Sequence, residues 1–90
     1  MDLETKIVII GKIEELPDVD INSRASEKFT GVSMINLVRA GEECNEKAIA
    51  FAKKGGYDVV YRKTMDFAGE FTAISEYDFY RLKESSAKES

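Results

Sequence analysis

From Glu42 to Leu82 the chain reads EECNEKAIAFAKKGG, then YDVVYRKTMDF, then AGEFTAISEYDFYRL. The first segment has a helical period. Cys44, Ala48, Phe51 and Ala52 fall in one stripe, with Ile49 at its margin. Glu42, Glu43 and Glu46 crowd its start and Lys53 and Lys54 its last turn, the polarity a helix dipole favours. Glu43 and Lys47 stand four residues apart in the favourable order. The spacing predicts one main helix over about 42–54. Gly55 is expected in the left-handed C′ position, and Gly56 loosens the chain beyond it.

The next two segments change to a period of two. Val59, Tyr61, Met65 and Phe67 share one face, interrupted by Lys63, while Asp58, Val60, Arg62, Thr64 and Asp66 share the other. Asp66-Phe67-Ala68-Gly69 supplies the glycine that a short hairpin loop wants. The return strand, Glu70 to Leu82, sets Phe71, Ala73, Ser75, Tyr77 and Phe79 against Thr72, Ile74, Glu76, Asp78 and Tyr80. This is a C-terminal β-hairpin with one apolar, aromatic face and one mixed face.

Upstream, Thr5 to Glu14 reads as a strand. Ile7, Val8, Ile9 and Ile10 make both of its faces apolar, which predicts an interior strand or one whose second face meets another subunit. Gly11 within it suggests a bulge, and Leu16-Pro17-Asp18 ends it. Asp18 to Lys28 is polar and of mixed charge, and reads as a loop. Phe29 to Arg39 fits a buried strand, with a helix capped by Ser33 as the alternative. Lys83 to Ser90 is a Lys/Glu/Ser tail that reads as disordered. The fold class expected is therefore α+β: a single domain over 1–82, with a three- or four-stranded, mostly antiparallel sheet packed on one main helix.

Ninety residues with 43% hydrophobic and 33% charged side chains suit one small folded domain with a modest core. The net charge of −4 provides no long-range attraction to nucleic acid or to an anionic membrane. A lone cysteine forms no intrachain disulfide framework, so a cytoplasmic setting is expected. Met1-Asp2-Leu3-Glu4 is acidic where a secretory leader would be basic, and the apolar run Ile7–Ile10 is too short to span a bilayer.

The candidate sites are few. Asp18-x-Asp20-x-Asn22 opens like a calcium loop, but Ser23 and Phe29 stand where an EF-hand needs Gly and a bidentate Glu, so a turn is the expected reading. Cys44 near the expected helix start could be activated by the dipole, yet the chain has no histidine to act as base, and the residue lies on the apolar stripe. The same lack of histidine removes ordinary zinc and copper sites. The hairpin interleaves aromatic and basic residues, and Tyr61, Arg62, Lys63, Tyr80 and Arg81 form the candidate interaction surface. Asp58, Asp66, Glu76 and Asp78 dilute it, and the ribonucleoprotein consensus is absent. No phosphate-binding loop, dinucleotide fingerprint or nucleophile elbow occurs, and Gly55-Gly56 follows a helix where a phosphate cradle precedes one.

Ala52-Lys53-Lys54-Gly55-Gly56-Tyr57-Asp58-Val59-Val60, then Phe71-Thr72-Ala73-Ile74, with Ile9-Ile10-Gly11-Lys12-Ile13 as an opening strand, is similar to the small α+β proteins of the YbjQ-like family. The resemblance implies an early strand, a helix, a small-residue break into a hydrophobic strand, and a final strand. It also implies ring-like oligomers and a heavy-metal-binding label. Glu76-Tyr77-Asp78-Phe79 departs from that family's glycine-rich final strand, and without histidine the metal is not carried over.

No motif in the chain names an activity. The reading is a non-catalytic oligomeric or interaction module without cofactor or membrane contact, whose partner is an unidentified protein or small molecule. The alternative is a small-ligand or nucleic-acid-binding protein using the aromatic hairpin, and the net acidity argues against the nucleic acid. A homo-oligomer is expected through Ile7–Ile10 and a patch of Val60, Ile74, Tyr80 and Leu82, by the sheet face or an edge strand. The competing possibility is a second helix over Met34 to Val38 that covers this face.

Overall fold

The computed structural model describes residues 7–83. The start of the expected first strand, Thr5 and Lys6, and the tail from residue 84 onward lie outside them. The elements are β1 (Val8–Ile10), a 3-10 turn (Ile13–Glu15), β2 (Val19–Val32), α1 (Leu37–Gly55), β3 (Val59–Phe67) and β4 (Thr72–Leu82). The four strands form one mixed sheet in the order β1-β3-β4-β2. β1 runs parallel to β3, and β4 pairs antiparallel with both β3 and β2. One helix on one face of this sheet is the expected α+β architecture.

Four expectations are corrected. The strand with two apolar faces is at the sheet edge, and it is short. Ile7 and Ile9 pack against the core beneath the helix, while Ile10 packs on the opposite face with Val19, Val59 and Tyr80. A second small cluster, and not a flanking strand, accounts for its double apolar character. Second, Asp18 to Lys28 is mostly strand and not loop. Its polarity arises because β2 is the other edge and its pairing slips between Asp20 and Ala25. There the Asp20 carboxylate accepts from the Asn22 amide at 3.0 Å and the Ser23 hydroxyl at 3.1 Å, the local turn bonding that Asp favours.

Third, the helix begins five residues before Glu42. Its N-cap is Asn36, whose side chain accepts from the Arg39 amide at 2.8 Å. Ser33, the alternative cap, instead accepts from the Ile35 amide at 3.1 Å. Met34 and Ile35 lie in the connection and Leu37 and Val38 open α1, so no second helix forms. The C-terminal cap also shifts by one residue. Gly55 is the last helical residue and Gly56 takes the left-handed conformation, with φ 75°. The amides of Gly56 and Tyr57 close back onto the Lys53 and Ala52 carbonyls.

The fourth correction concerns facing. Lys63 is an extra residue, because Arg62 lies opposite Tyr77 and Thr64 opposite Glu76. This bulge reverses the inside–outside pattern of β3 halfway along. Val60 and Arg62 therefore face the helix before it, as Met65 and Phe67 do after it. Val59 and Tyr61 look to the opposite face. In β4 no bulge intervenes, and the expected apolar row of Ala73, Ser75, Tyr77 and Phe79 faces the helix throughout.

The core follows from a match of sizes. The helix presents Ala40, Gly41, Cys44, Ala48 and Ala52, all small, and so lies close to the sheet. The strands supply the bulk: Phe29 and Phe79 meet Phe51, Tyr77 packs beside both of those strand rings, and the Phe51 and Phe79 ring centroids are 4.6 Å apart. Burying a side chain such as Phe79 contributes on the order of 1.5–3 kcal/mol. The approach is closest at Gly31, where a Cβ would stand 2.1 Å from the Ala40 carbonyl oxygen. Glu43 and Lys47 then dress the free edge of β2. A Glu43 carboxylate oxygen accepts from the Val32 amide at 2.8 Å, and the Lys47 ammonium donates to the Thr30 carbonyl at 2.6 Å. Such side chains blunt an edge that would otherwise invite another strand.

Candidate functional site

The opposite edge is treated differently. β1 covers β3 only from Val59 to Tyr61. Among the described residues no strand pairs with the outer edge of β3 from Arg62 to Phe67. Between this open edge and the first half of α1 lies a groove of about 310 Å³. Leu37, Val38 and Gly41 of the helix and Met65 and Phe67 of the strand form its apolar wall, and Glu42, Asn45 and Arg62 its polar end. Two local features create it. Gly41 puts no side chain into the space, and Leu37, Gly41 and Asn45 form one i, i+4 row down the helix. The bulge at Lys63 turns Met65 and Phe67 towards that row.

At the polar end Asn45 is an anchor. Its side-chain oxygen accepts from the Tyr77 hydroxyl at 2.6 Å and from the Arg62 guanidinium at 3.4 Å. Burial pushes the Tyr77 hydroxyl above its ordinary pKa. Arg62 is half-buried, and among the described residues no carboxylate lies in salt-bridge contact with it. Glu42 is engaged by Arg39 at 2.9 Å. The mouth of the groove is apolar and open. Val38, 72% exposed, and Phe67, 55% exposed, line it, while Met34 and Ile35, 78% and 75% exposed, lie in the connection just before α1.

The residues singled out from the sequence do not share one surface. Tyr61 and Tyr80 belong to the cluster on the face away from the helix, where Tyr80 is buried. Lys63 lies on that side too, 3.6 Å from Asp78 and 3.9 Å from Glu76. Arg62 and Arg81 are on the helix face at separate places. Arg81 stacks over Tyr57 at 4.5 Å and donates to the Gly55 and Gly56 carbonyls at the helix end. An aromatic and basic stacking platform therefore has no continuous surface here. The patch expected from Val60, Ile74, Tyr80 and Leu82 is likewise divided: Val60 and Tyr80 are buried, on opposite faces, and only Leu82 is well exposed.

Cys44 lies in the interior of α1, seven residues past Leu37, so the dipole at the helix start does not act on it as expected. It is buried, with the Phe29 and Ala73 carbonyls 3.5 and 3.4 Å from its sulfur. Asp18 pairs with Lys83 at 3.3 Å and Asp20 is spent on its own turn, which accounts for both acids of the calcium-like segment. Among the described residues no three His, Cys, Asp or Glu side chains gather as a metal site, and no helix is long and apolar enough to cross a membrane.

Leu37, Val38, Gly41 and Asn45 are missing from the residues chosen by sequence. Continuing the helical period back from Cys44 through Ala40 to Leu37 reaches them. Comparison with protein-family models, with curated proteins and with solved structures gives no match.

Proposed function

We propose that the protein is a non-catalytic interaction module that self-associates through the end built by α1 and the open edge of β3. The observation that carries this reading is the exposed cluster of Met34, Ile35, Val38 and Phe67 beside a strand edge that lacks a neighbour. Contiguous apolar surface of this kind marks interfaces. A second copy also supplements the limited core of a ninety-residue chain. Two-fold antiparallel pairing centred on Met65 sets Thr64 opposite Asp66 and brings no like charges together. The bulge at Lys63 confines the pairing to the few residues after it. The YbjQ-like resemblance also implies self-association, though as a ring and not as a two-fold pair, and a reducing, cytoplasmic setting suits the lone buried Cys44.

Light scattering across a concentration series tests the proposal. The wild-type mass is expected to reach twice the 10.1 kDa of the chain, and the Met34→Asp, Ile35→Asp variant to stay at the monomer mass. A wild-type monomer at high micromolar concentration would overturn the proposal.

A further inference from the structure

The groove shares Val38, Met65 and Phe67 with the proposed interface, and its polar end at Arg62 has a chemistry of its own. Its wall is apolar along Leu37, Val38, Met65 and Phe67, and it ends at a half-buried guanidinium. Partly buried arginines are usually matched by a carboxylate or phosphate, since a guanidinium offers five donors in a planar fork. Among the described residues Arg62 has instead one long bond, to Asn45, and no ion pair. Asn45 does not neutralise it, and Tyr77 occupies the same acceptor oxygen at the shorter distance. Glu42, which lines the same polar end, has its carboxylate held by Arg39 at 2.9 Å. An apolar trough closed at one end by an unmatched cation is complementary to one kind of small molecule.

We infer that the groove between α1 and β3 binds a small monocarboxylate with an apolar body, its head on Arg62 and its chain or ring along Met65, Leu37 and Phe67. The volume of about 310 Å³ is at the small end of ligand sites, which sets the scale at a medium-length chain or a single ring. Gly41 is the residue that keeps the trough open, since a Cβ there would reach the Met65 side chain at 3.0 Å. The site lies within one chain and does not require the self-associated form.

Octanoate is the probe, followed by amide chemical shifts in the full chain, with octanol as the neutral analogue and acetate as the head without a body. Saturable octanoate binding is expected, with shifts centred on Leu37, Gly41, Arg62 and Met65. Octanol is expected to bind about tenfold more weakly or worse, the usual worth of a charge-assisted hydrogen bond. Arg62→Gln should bring octanoate down to the octanol level and leave octanol binding unchanged, which also reports that the variant is folded. Arg62→Lys keeps the charge and should retain part of the preference. Equal affinity of wild type and Arg62→Gln for octanoate would overturn the inference, as would equal affinity for octanoate and octanol, or the absence of saturation. The Met34→Asp, Ile35→Asp variant, which leaves every groove-lining residue in place, separates the two readings by light scattering. Its loss of the dimer bears on self-association alone, while the Arg62→Gln comparison bears on the ligand alone.

Discussion

Gly31→Ala tests the closeness of helix to sheet on which this fold depends. The backbone conformation at Gly31 is open to any residue, because positive φ is confined to Gly56 and Gly69 among the described residues. In open space the substitution would stabilise by about 0.4–1 kcal/mol through the unfolded chain. The site is not open. The new Cβ would fall 2.1 Å from the Ala40 oxygen and 3.1 Å from both the Ala40 carbonyl carbon and the Cys44 amide nitrogen. All three are backbone atoms, so no rotamer change relieves the contact. The helix must move off β2 by about 1 Å, and a gap of that size forfeits roughly a quarter to a half of the dispersion attraction across it. The overpacking cost belongs at the top of the usual range, about 3 kcal/mol. Less the chain-entropy gain, the net loss is about 2 kcal/mol, and at roughly 4–8 °C per kcal/mol the Tm should fall by about 8–16 °C. The control is Gly11→Ala, where nothing lies within 4 Å of the new Cβ and the change should be neutral or slightly stabilising. Paired thermal and urea unfolding reads both. A Gly31→Ala protein as stable as wild type would refute the close approach and the packing argument built on it.

Two further outcomes follow from the interior. Ser75 is fully buried and its hydroxyl meets no hydrogen-bond partner among the described residues, so Ser75→Ala should raise stability by about 1 kcal/mol in urea unfolding. A loss of that size would mean the hydroxyl is satisfied after all. Tyr77 holds its proton more tightly folded than unfolded because of its burial. The unfolded chain therefore gives up that proton first, and stability should fall as pH rises past the ordinary tyrosine value near 10. Unfolding measured through the alkaline range should show a shallower decline for Tyr77→Phe, and identical slopes would count against the assignment.

Periodicity alone determined much of this protein. The stripe of Cys44, Ala48, Phe51 and Ala52, the glycine pair after Lys54 and the alternation of Ala73, Ser75, Tyr77 and Phe79 are properties of chain-local geometry. The structure places the helix, its end and the facing of β4 accordingly, except that the helix starts five residues earlier, at Leu37, and its left-handed cap is Gly56. The rest was set by contacts between distant residues. Whether Asp18 to Lys28 is loop or strand depends on β4 standing beside it, because a polar segment at a sheet edge is stabilised by pairing that its own pattern does not announce. The two apolar faces of β1 reflect two separate clusters, one of them built with Val19 and Tyr80. The bulge at Lys63 shows the limit most plainly. One unpaired residue exchanges the faces of everything after it, so an alternation read as continuous puts Met65 and Phe67 beside Val59 when the fold puts them across the sheet from it. The groove depends on that reversal, on the helix starting at Leu37, and on a strand edge left open by the shortness of β1. The helix start is local, set by the Asn36 cap, while the reversal and the open edge are tertiary facts, decided by which segments meet.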